Sequence, residues 1–325
     1  MNDPLTYDNL VLLRDQYRNS STSWPGELLG FKDRIVAMPV IQGMSVFHGQ
    51  IRDYGSLRSG LYRDRDPYKQ AISLAKQKEF ETCLSDVPAF SRMIAQGMPV
   101  SAVAQHYGLA TEYLDVSGSF DVALFFATCT YDREKKRYRP LNHKEILDNP
   151  LGMIYNTLCL AIPYDDLEII GFSSLNRPSR QHSILIRDRN DNNLDRLFGK
   201  WRFEHSVRLS KEMYRLFKNG NALFPGNDSE SLEILAVEIS NSMTVNRHHY
   251  LKSCHKIGLT GTDEELISNA KDFEFTETDL KLSPQDIMRF DHDIERTNFI
   301  RNSGMQFTGR LCYRGGRDYN NQDNR

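Results

Sequence analysis

The sequence predicts an α+β fold, and three observations point to it. Amphipathic spacing and helix-start signals crowd the first third of the chain. Strand-like apolar runs come mainly after them, and no regular strand–helix alternation links the two. The 325 residues are 39% hydrophobic and 26% charged, enough for a real core in one large domain or two modest ones. No internal repeat and no long Pro- or Gly-rich linker divides them.

Residues 8–18 (DNLVLLRDQYR) space their apolar positions as a short amphipathic helix, and NSSTSWPGE reads as a loop. MSVF, from Met44, forms a strand that runs into His48-Gly49-Gln50. Residues 69–81 are helical. Ser85-Asp86 ahead of Pro88 opens the next helix. Gly97 and Pro99 break it, and a further helix runs to about Tyr107, where Gly108 fits the left-handed stop position. Residues 122–128 (VALFFAT) are apolar throughout, so periodicity leaves buried strand and short helix both open. TLCLAI (157–162), SILI (183–186) and LEILAVEI (232–239) read as strands. Residues 191–217 read as helix, with a loop at NGNALFPGNDS. Residues 246–257 form a helix ended by Gly258, and Ser283-Pro284-Gln285-Asp286 opens a last helix with a capping-box pattern.

Lys plus Arg number 41 and Asp plus Glu 43, a net charge of −2. That excludes a strongly basic nucleic-acid coat but not a local basic groove. The longest apolar run, 122–127, is too short to cross a membrane, and the N-terminus lacks a basic-then-apolar layout. A soluble, cytoplasmic protein is expected. Five cysteines (83, 129, 159, 254 and 312) without CxxC spacing read as small hydrophobes rather than a disulfide framework or zinc ribbon. Residues 261–300 carry 11 acids and 4 bases, and residues 301–325 carry 5 bases and 2 acids. The basic run REKKRYR (133–139) reads as a solvated loop.

Standard templates fail: GxGxxG, P-loop, GxSxG and HExxH are absent. His248, His249, Cys254 and His255 on one helix do not form a closed ligand set, and Asp291-His292-Asp293 reads as a charged helix face. No metal is expected. Three other segments concentrate chemistry. Phe47-His48-Gly49-Gln50 ends a strand, where Gly allows close backbone approach and His can donate or accept. Gln105-His106-Tyr107-Gly108-Leu109-Ala110-Thr111-Glu112-Tyr113-Leu114-Asp115 packs titratable and aromatic groups around a helix stop. Arg177-Pro178-Ser179-Arg180-Gln181-His182-Ser183 sets two cations and an amide before a strand, a pattern suited to phosphate. Each also has a plain structural reading as a turn or cap.

Taken together and in this order, these segments resemble the FRG domain family. The resemblance rests on FHGQ (47–50), QHYGLATEYLD (105–115) with ALFFAT (123–128), and RPSRQHSIL (177–185). LAVEIS (235–240) with NRHHYLKSCHKIGL resembles its closing strand and helix. It spans about residues 44–261 and suggests an N-terminal helical extension over 1–43, an FRG-like domain over 44–265, and a C-terminal helix and basic tail over 266–325. His48 stands where the family usually has Arg, and Ser183 where it usually has Gly.

Aromatic-His-Gly followed by aromatic-aromatic-Ala is in turn similar to the NAD site of ADP-ribosyltransferases of the poly-ADP-ribose polymerase type. That similarity implies a split mixed or antiparallel β-sheet core with flanking helices. It implies NAD bound by Phe47, His48, Gly49, Gln50, Gln105, His106, Tyr107, Thr111, Asp115, Phe125, Phe126, Arg177 and Arg180. His48 would hold the nicotinamide ribose, Gly49 the carboxamide, Phe125 or Phe126 the ring, and Arg177 or Arg180 the pyrophosphate. The partner of the sugar cation would be Gln181 or Glu238; with Gln181 there, transfer of a single ADP-ribose is implied. The acceptor would be a protein or a nucleic acid (RNA or DNA). The setting would be a bacterial toxin or phage-defence effector, with a neutralising antitoxin protein as partner. Two alternatives stay open: a non-catalytic module that binds a nucleotide or partner, and a nuclease or other hydrolase using His106 and Asp115 as an acid–base pair.

Overall fold

The computed structural model describes residues 3–20, 27–30, 34–38, 45–95, 98–171, 175–189, 194–225, 228–296 and 310–312. The chain opens with α1 (Tyr7–Ser20), the antiparallel strands β1 (Glu27–Gly30) and β2 (Arg34–Met38), and β3 (Ser45–Gln50). A helical stretch follows: α2 (Gly60–Arg63), α3 (Pro67–Leu84), α4 (Pro88–Ala95) and α5 (Val100–His106). Next come β4 (Tyr113–Ser117), α6 (Phe120–Thr128), the hairpin β5 (Cys129–Asp132) and β6 (Arg137–Pro140), α7 (His143–Asp148) and β7 (Leu151–Leu158). Then come β8 (Leu167–Ile169), α8 (Asn176–Arg180), β9 (Ser183–Arg187), β10 (Gly199–Glu204), α9 (Val207–Leu216) and α10 (Asp228–Asn241). The chain continues through β11 (Thr244–Asn246), α11 (Arg247–Lys256), α12 (Asp263–Ser268), β12 (Glu274–Thr276), α13 (Pro284–Arg296) and β13 (Arg310–Cys312).

The α+β class holds. Six strands form one antiparallel sheet in the order β10-β7-β3-β4-β9-β8. Strand alternation sends Val46, Leu114, Val116, Tyr155, Ile184 and Ile186 to one apolar face. Phe47, Ile154 and Phe203 point the other way, against α6 and the α1 residue Leu10. Tyr113 and Leu185 leave that second face into the layer built from α3, α4, α5, α10 and α13.

Local signals explain most elements. Asp66 caps α3 by accepting from the Tyr68 amide at 2.9 Å, with Pro67 in the first turn. Asn142 with Glu145, and Thr262 with Glu265, form complete capping boxes on α7 and α12. Gly108 and Gly258 end α5 and α11 with φ of +102° and +83°, a backbone region that favours glycine. The ambiguous 122–128 run is helical. Ser119 caps it, and Arg14 of α1 pairs with Asp121 in its first turn and with Glu212 of α9. It is apolar all round because it is buried between the sheet and α9.

Three expectations are corrected. Residues 232–239 belong to α10 and form no strand. Leu232, Leu235, Ala236 and Ile239 are buried while Ile234, Val237 and Glu238 are exposed, the spacing of a helix. Residues 191–217 are not one helix. A 3-10 turn at Leu194–Leu197 and strand β10 precede α9. The 157–162 strand lies earlier, as β7, and gives way to a 3-10 turn at Cys159–Ala161. The expected loop after residue 18 falls mostly outside the described residues.

Cys83, Cys129, Cys159 and Cys254 are buried free thiols, and burial pushes the first three up to about 12. No helix among the described residues is long and apolar enough to cross a membrane.

Candidate active site

The sheet parts in its middle. β3 pairs with β7 along its whole length, from Ser45↔Leu158 to Gln50↔Met153, but meets β4 at one register pair, Phe47↔Ser117. Beyond it the ladder stops, and the Asp115 carbonyl loses a backbone donor. His48 Nδ1 takes that place, donating to the Asp115 oxygen at 2.7 Å. The same bond fixes the tautomer. With its proton on Nδ1, His48 keeps Nε2 as an acceptor, 3.4 Å from the Gln50 amide nitrogen. Burial, opposed by the Asp115 carbonyl and reinforced by the Arg63 charge, lowers the His48 pKa to about 4, so the ring is neutral near pH 7.

A cavity of about 680 Å³ occupies this gap, within the size range of small-molecule sites. His48 rises from the face that carries Tyr155, its ring 6.1 Å away. Asp115 leaves the opposite face, yet both line the cavity because the sheet is open between them. Among the described residues Asp115 is the only carboxylate on its wall. Its carboxylate is braced from behind. Ser183, fully buried on β9, donates to Asp115 Oδ1 at 2.9 Å. With its one proton so used, Ser183 Oγ accepts from His106 Nε2 at 2.7 Å. His106 Nδ1 lies 3.7 Å from Asp115 Oδ2. Burial lowers the His106 pKa despite the Asp115 charge, which leaves that ring neutral as well.

The residues singled out in the sequence divide into two sets. Phe47, His48, Gly49, Gln50, Asp115, Phe126 and Gln181 line the cavity. The rest stand behind it or away from it. His106 is bound to Ser183, and its backbone carbonyl accepts from Arg177 at 2.8 Å. Gln105 accepts from Thr111 at 2.7 Å. Tyr107 is buried beneath the Arg177 guanidinium. Phe125 is fully buried among Phe217, Tyr138 and Leu223, so of the two phenylalanines Phe126 alone faces the cavity.

Arg177 is a structural ion-pair residue. It is buried, pairs with Glu233 of α10, and lies between the Tyr107 and Phe224 rings at 5.0 Å from each. Arg180 is exposed and off the cavity. Glu238 is exposed on α10, far from the role that a strand position suggested. Gln181 lines the wall, but its amide nitrogen donates to Leu223 O at 3.1 Å and its side chain also hydrogen-bonds His106.

Gly49 has a second, mechanical explanation. A Cβ there would lie 1.8 Å from the Ala123 carbonyl oxygen and 3.0 Å from the Ala127 amide nitrogen. Helix α6 lies directly on this glycine, so packing requires it whether or not a ligand does.

The sequence reading missed one wall entirely. Arg58, Arg63 and Arg65, from the segment that follows β3, line the cavity with Tyr54. Their signal was the cluster RSGLYRDR just after FHGQ. Tyr131 and Tyr138 of the β5–β6 hairpin add to the aromatic side with Phe126. The hairpin also corrects the basic run at 133–139, whose last three residues belong to β6. His248, His249, Cys254 and His255 form no metal-binding group, and none is found among the described residues. Asp291 and Asp293 instead bind the Ala89 amide (2.6 Å) and the Ser231 hydroxyl (2.8 Å).

The FRG domain family model matches residues 43–136, the stretch from the start of β3 to the β5–β6 hairpin. This supports an FRG assignment for the segment that carries His48, Asp115 and Phe126. Residues 177–185 and everything from α10 onward lie outside the match. No curated protein and no solved structure matches the chain.

Proposed function

We propose that the chain is an NAD-dependent ADP-ribosyltransferase with its active site in the sheet gap. One observation carries the reading: the gap brings a neutral imidazole acceptor, a single carboxylate and an aromatic wall to one cavity. The residues fit the ligand. The imidazole Nε2 of His48 can accept from a ribose hydroxyl, Phe126 offers a ring to stack on nicotinamide, and the Gly49 backbone runs along the cavity edge. The cavity volume suits a ligand of this class.

NAD supplies a sugar whose bond to nicotinamide breaks with the electron pair leaving on nicotinamide. A nucleophile of the acceptor bonds the sugar carbon and releases its proton. Positive charge grows on the sugar during this exchange, as in glycoside cleavage. Asp115 places a fixed negative charge at the cavity wall, which opposes that growing cation. Ser183 and His106 hold the carboxylate in place, so little reorganisation is needed when the charge develops. Asp115 therefore takes the role that Gln181 and Glu238 were expected to fill. His106 lies behind Asp115 and off the cavity wall, which weakens the acid–base hydrolase reading.

The test is release of nicotinamide from NAD, followed by chromatography, with wild type, Asp115→Asn and His48→Ala. Removal of a transition-state charge partner is expected to slow release by about 100-fold or more in Asp115→Asn. Equal rates in wild type and Asp115→Asn sink the assignment. Dinucleotide binding without release by the wild type would favour the binding-module alternative.

A further inference from the structure

We propose that Arg63 and Arg65, with Arg58 beside them, form a diphosphate subsite at one wall of the cavity. The inference rests on the dinucleotide reading above and deepens it. The first argument is charge pairing. Arginines that brace the fold are matched by acids: Arg14 by Asp121 and Glu212, Arg139 by Glu145, Arg177 by Glu233. Arg63 and Arg65 line the cavity, no acid among the described residues pairs with either, and the charge neighbour of Arg63 is the Tyr54 side chain.

The acid between them does not neutralise them. Asp64 accepts from the Asp66 amide at 3.0 Å and pairs with Lys69 at 3.5 Å, so its charge is turned toward α3. Asp64 ends α2 in an extended conformation, φ −84° and ψ 128°. Arg63 and Arg65 on either side of it line the same cavity, which sets them to act together.

The second argument is position. Arg63 lines the same cavity as His48, the proposed ribose site, and its charge acts on the His48 ring. Partial burial disfavours the charged form of Arg63, so an anionic partner is energetically wanted there. Guanidinium groups grip phosphate oxygens through paired N–H bonds, and two in tandem suit a diphosphate. Arg177 is occupied with Glu233 and Arg180 is off the cavity, so neither of the cations expected from the sequence competes for this role.

The experiment measures binding of ADP and of adenosine by calorimetry to the full chain. The proteins are wild type, Arg63→Gln, Arg65→Gln, the double variant, and Arg180→Gln as an off-cavity control. Thermal melts check that each is folded. Wild type and Arg180→Gln are expected to bind ADP far more tightly than adenosine. Each cavity substitution is expected to weaken ADP about tenfold or more, the loss of a charge-assisted hydrogen bond, and leave adenosine unchanged. Unchanged ADP affinity in the double variant overturns the subsite. So does equal weakening of ADP and adenosine, which would make the arginines shapers of the cavity. Nicotinamide release separates the two claims. Release that persists with ADP affinity unchanged in the double variant sinks the subsite alone. Arginine-dependent ADP binding without release sinks the transferase reading alone.

Discussion

Gly49→Ala separates packing from ligand contact at the centre of the site. The new methyl would lie 1.8 Å from the Ala123 carbonyl oxygen, where real Cβ atoms essentially never come nearer than 3.0 Å. The obstructing atoms are helix backbone, so no rotamer change relieves them. Helix α6 must retreat by more than an ångström, against Phe217 and Leu223 on its far side and the Arg14–Asp121 pair at its start. Gly49 is not in the left-handed region, so the penalty is steric rather than conformational. Overpacking by one methyl costs about 1–3 kcal/mol, and a backbone obstacle puts this case near the upper figure. At about 1.5 °C per kcal/mol for a chain of 325 residues, the melting temperature should fall by about 4–5 °C. Circular dichroism melts read the shift directly. A variant that melts with the wild type refutes the packing account. If it is also inactive, Gly49 acts on the ligand instead, as its resemblance to a carboxamide clamp implies.

Three further outcomes follow from the same geometry. Ser183→Ala removes the hydroxyl shared by Asp115 and His106, should cost about 1–2 kcal/mol in a chemical melt, and should slow nicotinamide release at least about tenfold; full activity would show that the brace is idle. Arg177→Met leaves Glu233 unpaired and should cost about 3 kcal/mol, at the low end for a buried pair because water reaches Glu233. Adding Glu233→Gln should restore part of that loss, and no recovery would remove the ion pair from the account. The His48 pKa, lowered from 6.5 to about 4, means that the unfolded chain binds the extra proton first, so its contribution to stability falls as pH drops from about 6.5 to about 4. Urea midpoints should converge for wild type and His48→Asn as pH falls through that window, and a pH-independent difference would contradict the neutral, half-buried ring.

Much of the site was legible because its parts are contiguous. FHGQ formed β3 as read, and the stop at Gly108 set up β4 and hence Asp115. Other parts were hidden for physical reasons. In LEILAVEI the run of Leu and Ile suggested a strand, although Leu232, Leu235, Ala236 and Ile239 follow helical spacing. Reading that spacing would have removed Glu238 from the site. The brace on Asp115 joins residues 68 positions apart, and only β4–β9 pairing brings them together. Arg63 and Arg65 sat beside a motif already singled out, but which way a loop folds back over a sheet is a tertiary outcome. Arg177 looked like a phosphate ligand because its acid partner, Glu233, lies 56 residues away.

The central claim is that the sheet gap cleaves NAD and passes ADP-ribose to an acceptor. NAD labelled on its adenylate phosphate, incubated with the purified chain and a lysate split into protein, RNA and DNA fractions, tests it most directly. Label should appear in one fraction with wild type and be lost with Asp115→Asn, although that variant keeps the wild-type melting temperature within a few degrees. Absence of label from every fraction, with no nicotinamide released, would contradict the claim.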